Sequence, residues 1–171
     1  MKAIIITADG VEDSEFFYPY YRLKEEGIEV TVAAPDGENV TGKHGYSVEV
    51  NADLNDVQPD EYDLLVIPGG TGPEKVRLNE NAIRLTRQMV QADKTVAAIC
   101  HGAQVLISAG VVEGRQATCW QGVKDDLIAA GAEYADREVV VDGSLITSRC
   151  PSDLPAFSRE IFSSIAAHAR T

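Results

Sequence analysis

Residues 94–110, KTVAAICHGAQVLISAG, change character at their midpoint. The apolar run 96–99 reads as a buried strand and residues 104–109 read as helix, so Cys100, His101 and Gly102 must make the turn. A nucleophile on a sharp strand-to-helix turn projects outward. Small residues two places away on either side, here Ala98 and Gly102, let the backbone fold that tightly. The A-x-C-x-G spacing thus imitates the G-x-S-x-G elbow with cysteine as nucleophile. The following helix offers free N–H groups and the positive end of its dipole, which favour thiolate over thiol and can hold an oxyanion. The competing reading is a buried, inert cysteine at a strand end.

Outward from this corner, strand-like and helix-like patterns alternate. Residues 2–7, 29–34 and 62–67 are apolar strands. Residues 14–27, 79–92, 121–130 and 152–169 have helical spacing, with Pro19 sitting awkwardly in the first. Residues 40–50, with Gly42 and Gly45, suggest a hairpin-like excursion, and 138–148 a strand–turn–strand unit about Asp142-Gly143. Near-continuous apolar strands alternating with helices predict one α/β domain with a parallel sheet covered on both faces. Ligands of such sheets collect at the carboxyl ends of the strands. That rule selects residues 8–14, 68–74 and 100–104.

Composition excludes several classes. A chain of 171 residues with 44% hydrophobic content can build one core, and its formal charge of -12 argues against a nucleic-acid partner. No apolar run is long enough to span a bilayer, and MKAIIITADG lacks the pattern of a signal peptide. Three cysteines without C-x-x-C or histidine spacing argue against a disulfide framework or a metal site. The expectation is a cytoplasmic protein with reduced thiols and no membrane contact.

The other rim segments are less decisive. TADGVEDSE carries Glu12, Asp13 and Glu15, ordinary acids for a helix start, with Asp13 or Ser14 as N-cap; one carboxyl could instead reach the cysteine. PGGTGPE has three glycines, but not the spacing of a phosphate loop. His44 and His168 read as surface or satisfied residues, and Cys119 and Cys150 as packing residues.

Taken together, GVEDSE, YPYYRLKEEG, TGKHGYSV, LLVIPGGTGPEKVRLNE, AAICHGAQVLISAGV, GVKDDLIAAGAE and SRCPSDLPAF resemble the PfpI-type intracellular proteases. These belong to the glutamine-amidotransferase-like superfamily, with the Parkinson-associated deglycases as relatives. The resemblance implies a single flavodoxin-like three-layer sandwich over residues 1–171. It makes Cys100 the nucleophile, His101 its base and Glu12 the carboxyl on the thiol, with the N–H groups of Gly70 and His101 as oxyanion hole. Gly69 and Trp120 would touch substrate. Glu74 would reach the site of a neighbouring copy, in a homodimer or ring of dimers, and no cofactor or metal is implied. Four positions depart from the pattern: Thr71-Gly72 where relatives often have Arg-Ala, Ala103 where they often have proline, and Trp120 where they often have tyrosine. The implied activities are a cysteine hydrolase acting on peptides or glycated protein, a cofactor-free glyoxalase acting on a small dicarbonyl, and a redox-sensing chaperone.

Overall fold

The computed structural model describes residues 1–170. Its strands are β1 (Lys2–Ile6), β2 (Glu29–Ala34), β3 (Val40–Thr41), β4 (Ser47–Val48), β5 (Ala52–Asp53), β6 (Leu64–Ile67), β7 (Thr95–Ile99), β8 (Gln116–Ala117), β9 (Glu133–Tyr134), β10 (Val140–Asp142) and β11 (Leu145–Ser148). Its α-helices are α1 (Asp13–Glu25), α2 (Gly72–Val76), α3 (Glu80–Gln91), α4 (Ala103–Ala109), α5 (Lys124–Ala129) and α6 (Leu154–Ala169). The main sheet runs β10-β11-β7-β6-β1-β2-β5, and every pairing is parallel except β10 with β11.

Alternation along the buried strands divides the core into two layers. Ile4, Ile6, Leu65, Ile67, Val96 and Ala98 face α3, α4 and α5, where Leu85, Met89, Val105, Leu106 and Leu127 complete one cluster. Ala3, Ile5, Leu64, Val66, Ala97 and Ile99 face α1 and α6, meeting Phe16, Leu23, Phe157 and Ile161. Strands buried on both sides explain why the sequence shows runs such as KAIII and LLVI rather than alternation. This is the flavodoxin-like three-layer arrangement.

The chain leaves β1 toward β2 on one side and returns to β6 on the other. The crevice at the carboxyl ends of β1, β6 and β7 is therefore the switch point where a doubly wound sheet accepts ligands. Two details differ from the sequence reading. The helix begins at Asp13 and runs through Pro19, and a 3-10 turn, Cys100–Gly102, intervenes before α4. The excursion at residues 40–50 is a short antiparallel hairpin pairing Val40 with Val48. Among the described residues, no helix is long and apolar enough to cross a membrane.

Candidate active site

Cys100 sits at the corner in a left-handed backbone conformation, φ 62°, that side-chain-bearing residues seldom adopt. Such a conformation costs about 1–3 kcal/mol and persists only where the surroundings impose it. Two glycines show how they do so. A Cβ on Gly102 would collide with the carbonyl oxygen of Ile67, and one on Gly69 would lie 2.8 Å from Cβ of Cys100. Strand end, turn and helix are thus pressed together around the thiol. Its side chain is 8% exposed.

The sulfur lies 3.2 Å from Nδ1 of His101. The backbone N–H groups of His101 and Gly70 both interact with it, so two donors already converge on the place where charge would develop. Gly70 owes its position to a positive φ of 77° and to a bridge with Val11, which holds the turn after β6 against the segment after β1.

The carboxyl on the thiol is that of Glu15, which corrects the assignment of Glu12 to this place. Glu15 is fully buried, its Oε1 accepts the N–H of Gly69 at 2.8 Å, and its carboxyl also interacts with the Cys100 thiol. Oε2 makes no well-aligned hydrogen bond, so the contact with sulfur is looser than that with Gly69. Glu12 stands at the N-cap of α1, outside the buried face, and is turned toward the hairpin. Its carboxylate meets Nε2 of His44 at 3.2 Å, Nζ of Lys43 at 3.7 Å and the hydroxyl of Ser14 at 3.1 Å. The physical reason lies in helix phase. Glu15 is one turn before Pro19 and two before Leu23, on the stripe of α1 that packs against the sheet. That i, i+4, i+8 spacing was the legible signal.

Burial sets the protonation of the pair. Glu15 is raised from its ordinary value near 4.5 to about 8, first by desolvation and then by the charge of Glu12, against the lowering hydrogen bond from Gly69. Cys100 is raised to about 12, again chiefly by desolvation and secondarily by Glu15. The expected thiolate-favouring effect of the helix start is present in the His101 amide, and the Gly70 amide after β6 adds to it, but burial outweighs both. His101 moves the other way, lowered by desolvation and by the charge of Lys43. At neutral pH the site is thus a thiol beside a neutral imidazole. The imidazole can take the proton as sulfur attacks, as the histidine of a Ser-His pair does.

The remaining side chains close the pocket, about 310 Å³ in volume, which is lined by Glu12, Glu15, Lys43, Gly70, Thr71, Cys100, His101, Trp120 and Pro151. Trp120 stacks on His101 with ring centroids 6.4 Å apart, and its backbone N–H donates to the Cys100 carbonyl. Lys43, which the sequence reading passed over, arrives because Asp13 accepts the N–H groups of His44 and Tyr46 and ties the hairpin to α1. Gly69, expected to touch substrate, instead donates its N–H to Glu15 and accepts from the N–H of Glu12. Glu74 is exposed on α2 and does not line the pocket of its own chain.

Known proteins resemble this chain along nearly its whole length. The model of the DJ-1/PfpI family matches residues 1–164. The chain is 54% identical over 160 residues to the deglycase PH1704 of Pyrococcus horikoshii, covering 94% of this chain and 96% of that one. It is 44% identical over 162 residues to protein/nucleic acid deglycase 2 of Escherichia coli, covering 93% and 94%. Among solved structures, a two-domain protein with DJ-1/ThiJ/PfpI-like and ferritin-like domains from Anabaena variabilis superposes with a TM-score of 0.94 at 41% identity. That match covers 96% of this chain and 48% of the other, so the chain spans about half the length of that two-domain relative.

Proposed function

The chain belongs to the DJ-1/PfpI family, and on that premise we propose that it is a cysteine hydrolase removing carbonyl-derived adducts from protein side chains, with Cys100 as nucleophile. The observation that carries the reading is the 3.2 Å approach of Cys100 Sγ to a neutral His101 at a strained elbow backed by Glu15. Relatives at 54% and 44% identity bear deglycase names, which supports a hydrolytic use of the same thiol. The pocket supports the adduct over an extended peptide. At about 310 Å³ it is at the small end for ligand sites, suited to a short adduct more than to a run of residues.

In this reading the sulfur attacks a carbonyl-type carbon while His101 Nδ1 accepts the thiol proton. The Gly70 and His101 amides hold the developing oxyanion, and His101 returns the proton to the departing amine or thiol. Glu15, protonated up to about pH 8, keeps a second negative charge away from the sulfur. Water then releases Cys100. Trp120 and Lys43 form the substrate-facing rim. The three free thiols suit a reducing, cytoplasmic setting.

Glu74 has no catalytic contact within its own chain, so its role in this proposal is in trans: a second copy brings it to His101, orienting the imidazole. A mixture of Cys100→Ser and Glu74→Ala variants then recovers part of the activity that each lacks, whereas independent sites would give none.

The test of the activity is one assay panel with wild type beside Cys100→Ser. A methylglyoxal-modified peptide should be restored to the free peptide only by wild type. Turnover of free methylglyoxal with the modified peptide untouched would replace the proposal with a glyoxalase. Cleavage of an unmodified fluorogenic peptide alone would replace it with a peptidase.

A further inference from the structure

Cys150 is a second thiol beside the same site, next in the chain to Pro151 of its lining. Strands β7 and β11 pair in parallel with Ile99 opposite Ser148. Cys100 is the first residue past Ile99, and Cys150 the second past Ser148, so both leave the carboxyl ends of neighbouring strands. Such strands are about 4.8 Å apart, and a disulfide needs Cα atoms roughly 4.4–6.8 Å apart. The side also matches. Ile146 of β11 faces the layer that contains Cys100, and Cys150 is an even number of residues further along, with extended dihedrals (φ -163°, ψ 172°).

Other features separate Cys150 from a packing residue. It is only half-buried, whereas Cys119 is fully enclosed. Pro151, its neighbour in the chain, lines the Cys100 pocket. Arg149 on the other side is fixed to Asp153 by its backbone N–H at 3.0 Å and by its guanidinium, and the Cys150 carbonyl accepts the N–H of Asp153. The thiol therefore leaves an anchored turn, with its sulfur 3.1 Å from the hydroxyl of Ser152. Its charge is near enough to contribute to the upward shift of Cys100.

We propose that Cys150 is the resolving thiol for Cys100, closing an intramolecular disulfide when the site meets a hydroperoxide. In the first step the sulfur of Cys100 takes one peroxide oxygen, giving a sulfenic acid, and the hydroperoxide is reduced to an alcohol or water. In the second, the Cys150 thiol attacks that sulfur, the S–S bond forms, and the hydroxyl leaves with the thiol proton as water. The disulfide blocks the nucleophile reversibly and keeps it from advancing to sulfinic acid. A dithiol restores both cysteines. This reading shares Cys100 with the proposed hydrolase but not its substrate, and its readout is a mass rather than a turnover.

Trypsin places the three cysteines on separate peptides, residues 95–115, 116–124 and 150–159. Wild-type protein treated with hydrogen peroxide and digested without reductant should yield 95–115 linked to 150–159, lighter by two hydrogens than the separate peptides. The linkage should disappear on dithiothreitol. In Cys150→Ser the same dose should carry Cys100 to sulfinic acid, which dithiothreitol does not reverse. Wild type that accumulates sulfinic acid at Cys100 as fast as Cys150→Ser, with no linked peptide, would overturn the proposal. So would a linkage found only between chains, seen as a covalent dimer on a non-reducing gel.

Discussion

The floor and the rim of the pocket each hold a carboxyl from the same short segment, in opposite environments. Glu15 on the floor is fully buried, accepts from Gly69 and faces sulfur. Glu12 on the rim, three residues earlier, meets an exposed cation, Lys43, and the exposed imidazole of His44. The difference teaches that solvent and helix phase, not proximity in sequence, decide which acid takes part in the chemistry. On the floor a negative charge is expensive, so the carboxyl keeps its proton to about pH 8. At the rim the charge meets a lysine that water also screens, and such pairs are worth roughly 0.2–1 kcal/mol.

Removal of the nucleophile should have the largest effect. Cys100→Ser is expected to cost roughly 10³-fold or more in turnover, measured on the modified peptide, with the melting temperature nearly unchanged. Next comes the floor. Glu15→Gln should lower kcat/KM by roughly 10²–10⁴-fold if its proton takes part in the reaction, while Glu12→Gln should stay within a few-fold. A larger loss in the Glu12 variant than in the Glu15 variant would invert the comparison. The wild-type pH profile sharpens it further. Its acid limb should lie below the usual histidine value, because His101 is lowered, and its alkaline limb should fall near pH 8 as Glu15 ionises.

Stability supplies a smaller signal with a fixed sign. Glu15 binds its proton more tightly folded, about 8, than unfolded, near 4.5. Between those values the folded state holds the extra proton, so stability from this group is fully present below the unfolded value. It is lost as pH rises, by up to about 1.4 kcal/mol per unit. Denaturant midpoints from pH 5 to pH 8 should therefore fall more steeply in wild type than in Glu15→Gln. Parallel slopes would mean that the buried carboxyl is already ionised. The smallest effect is at the rim, where Glu12→Gln should change the unfolding free energy by only about a few tenths of a kcal/mol.

Much of this architecture was legible in the sequence. The apolar runs 62–67 and 96–99 read as buried strands and Ala98-x-Cys100-x-Gly102 has the spacing of an elbow; the structure has strands at Leu64–Ile67 and Thr95–Ile99 and a 3-10 turn at Cys100–Gly102. Glu15 stood among the three acids of which one could reach the cysteine, but the family resemblance put Glu12 in that place. The i, i+4, i+8 relation of Glu15 to Pro19 and Leu23 was the overlooked clue. Lys43 could not be read, since its place depends on Asp13 tethering a hairpin some thirty residues away. The protonation of Cys100 was misjudged for a related reason. Sequence shows the helix that would lower it, but desolvation emerges only once Glu15, Gly69 and Trp120 have closed around the sulfur.

The central claim is that Cys100 rests as a thiol and is activated in place by neutral His101, with Glu15 protonated behind it. The most direct measurement is the alkylation rate of Cys100 against pH, followed on the peptide 95–115. The rate should still be climbing at pH 9, with no plateau in the neutral range, because burial holds the thiol up at about 12. A rate that levels off below pH 7, in wild type and Glu15→Gln alike, would show a stored thiolate and contradict the account.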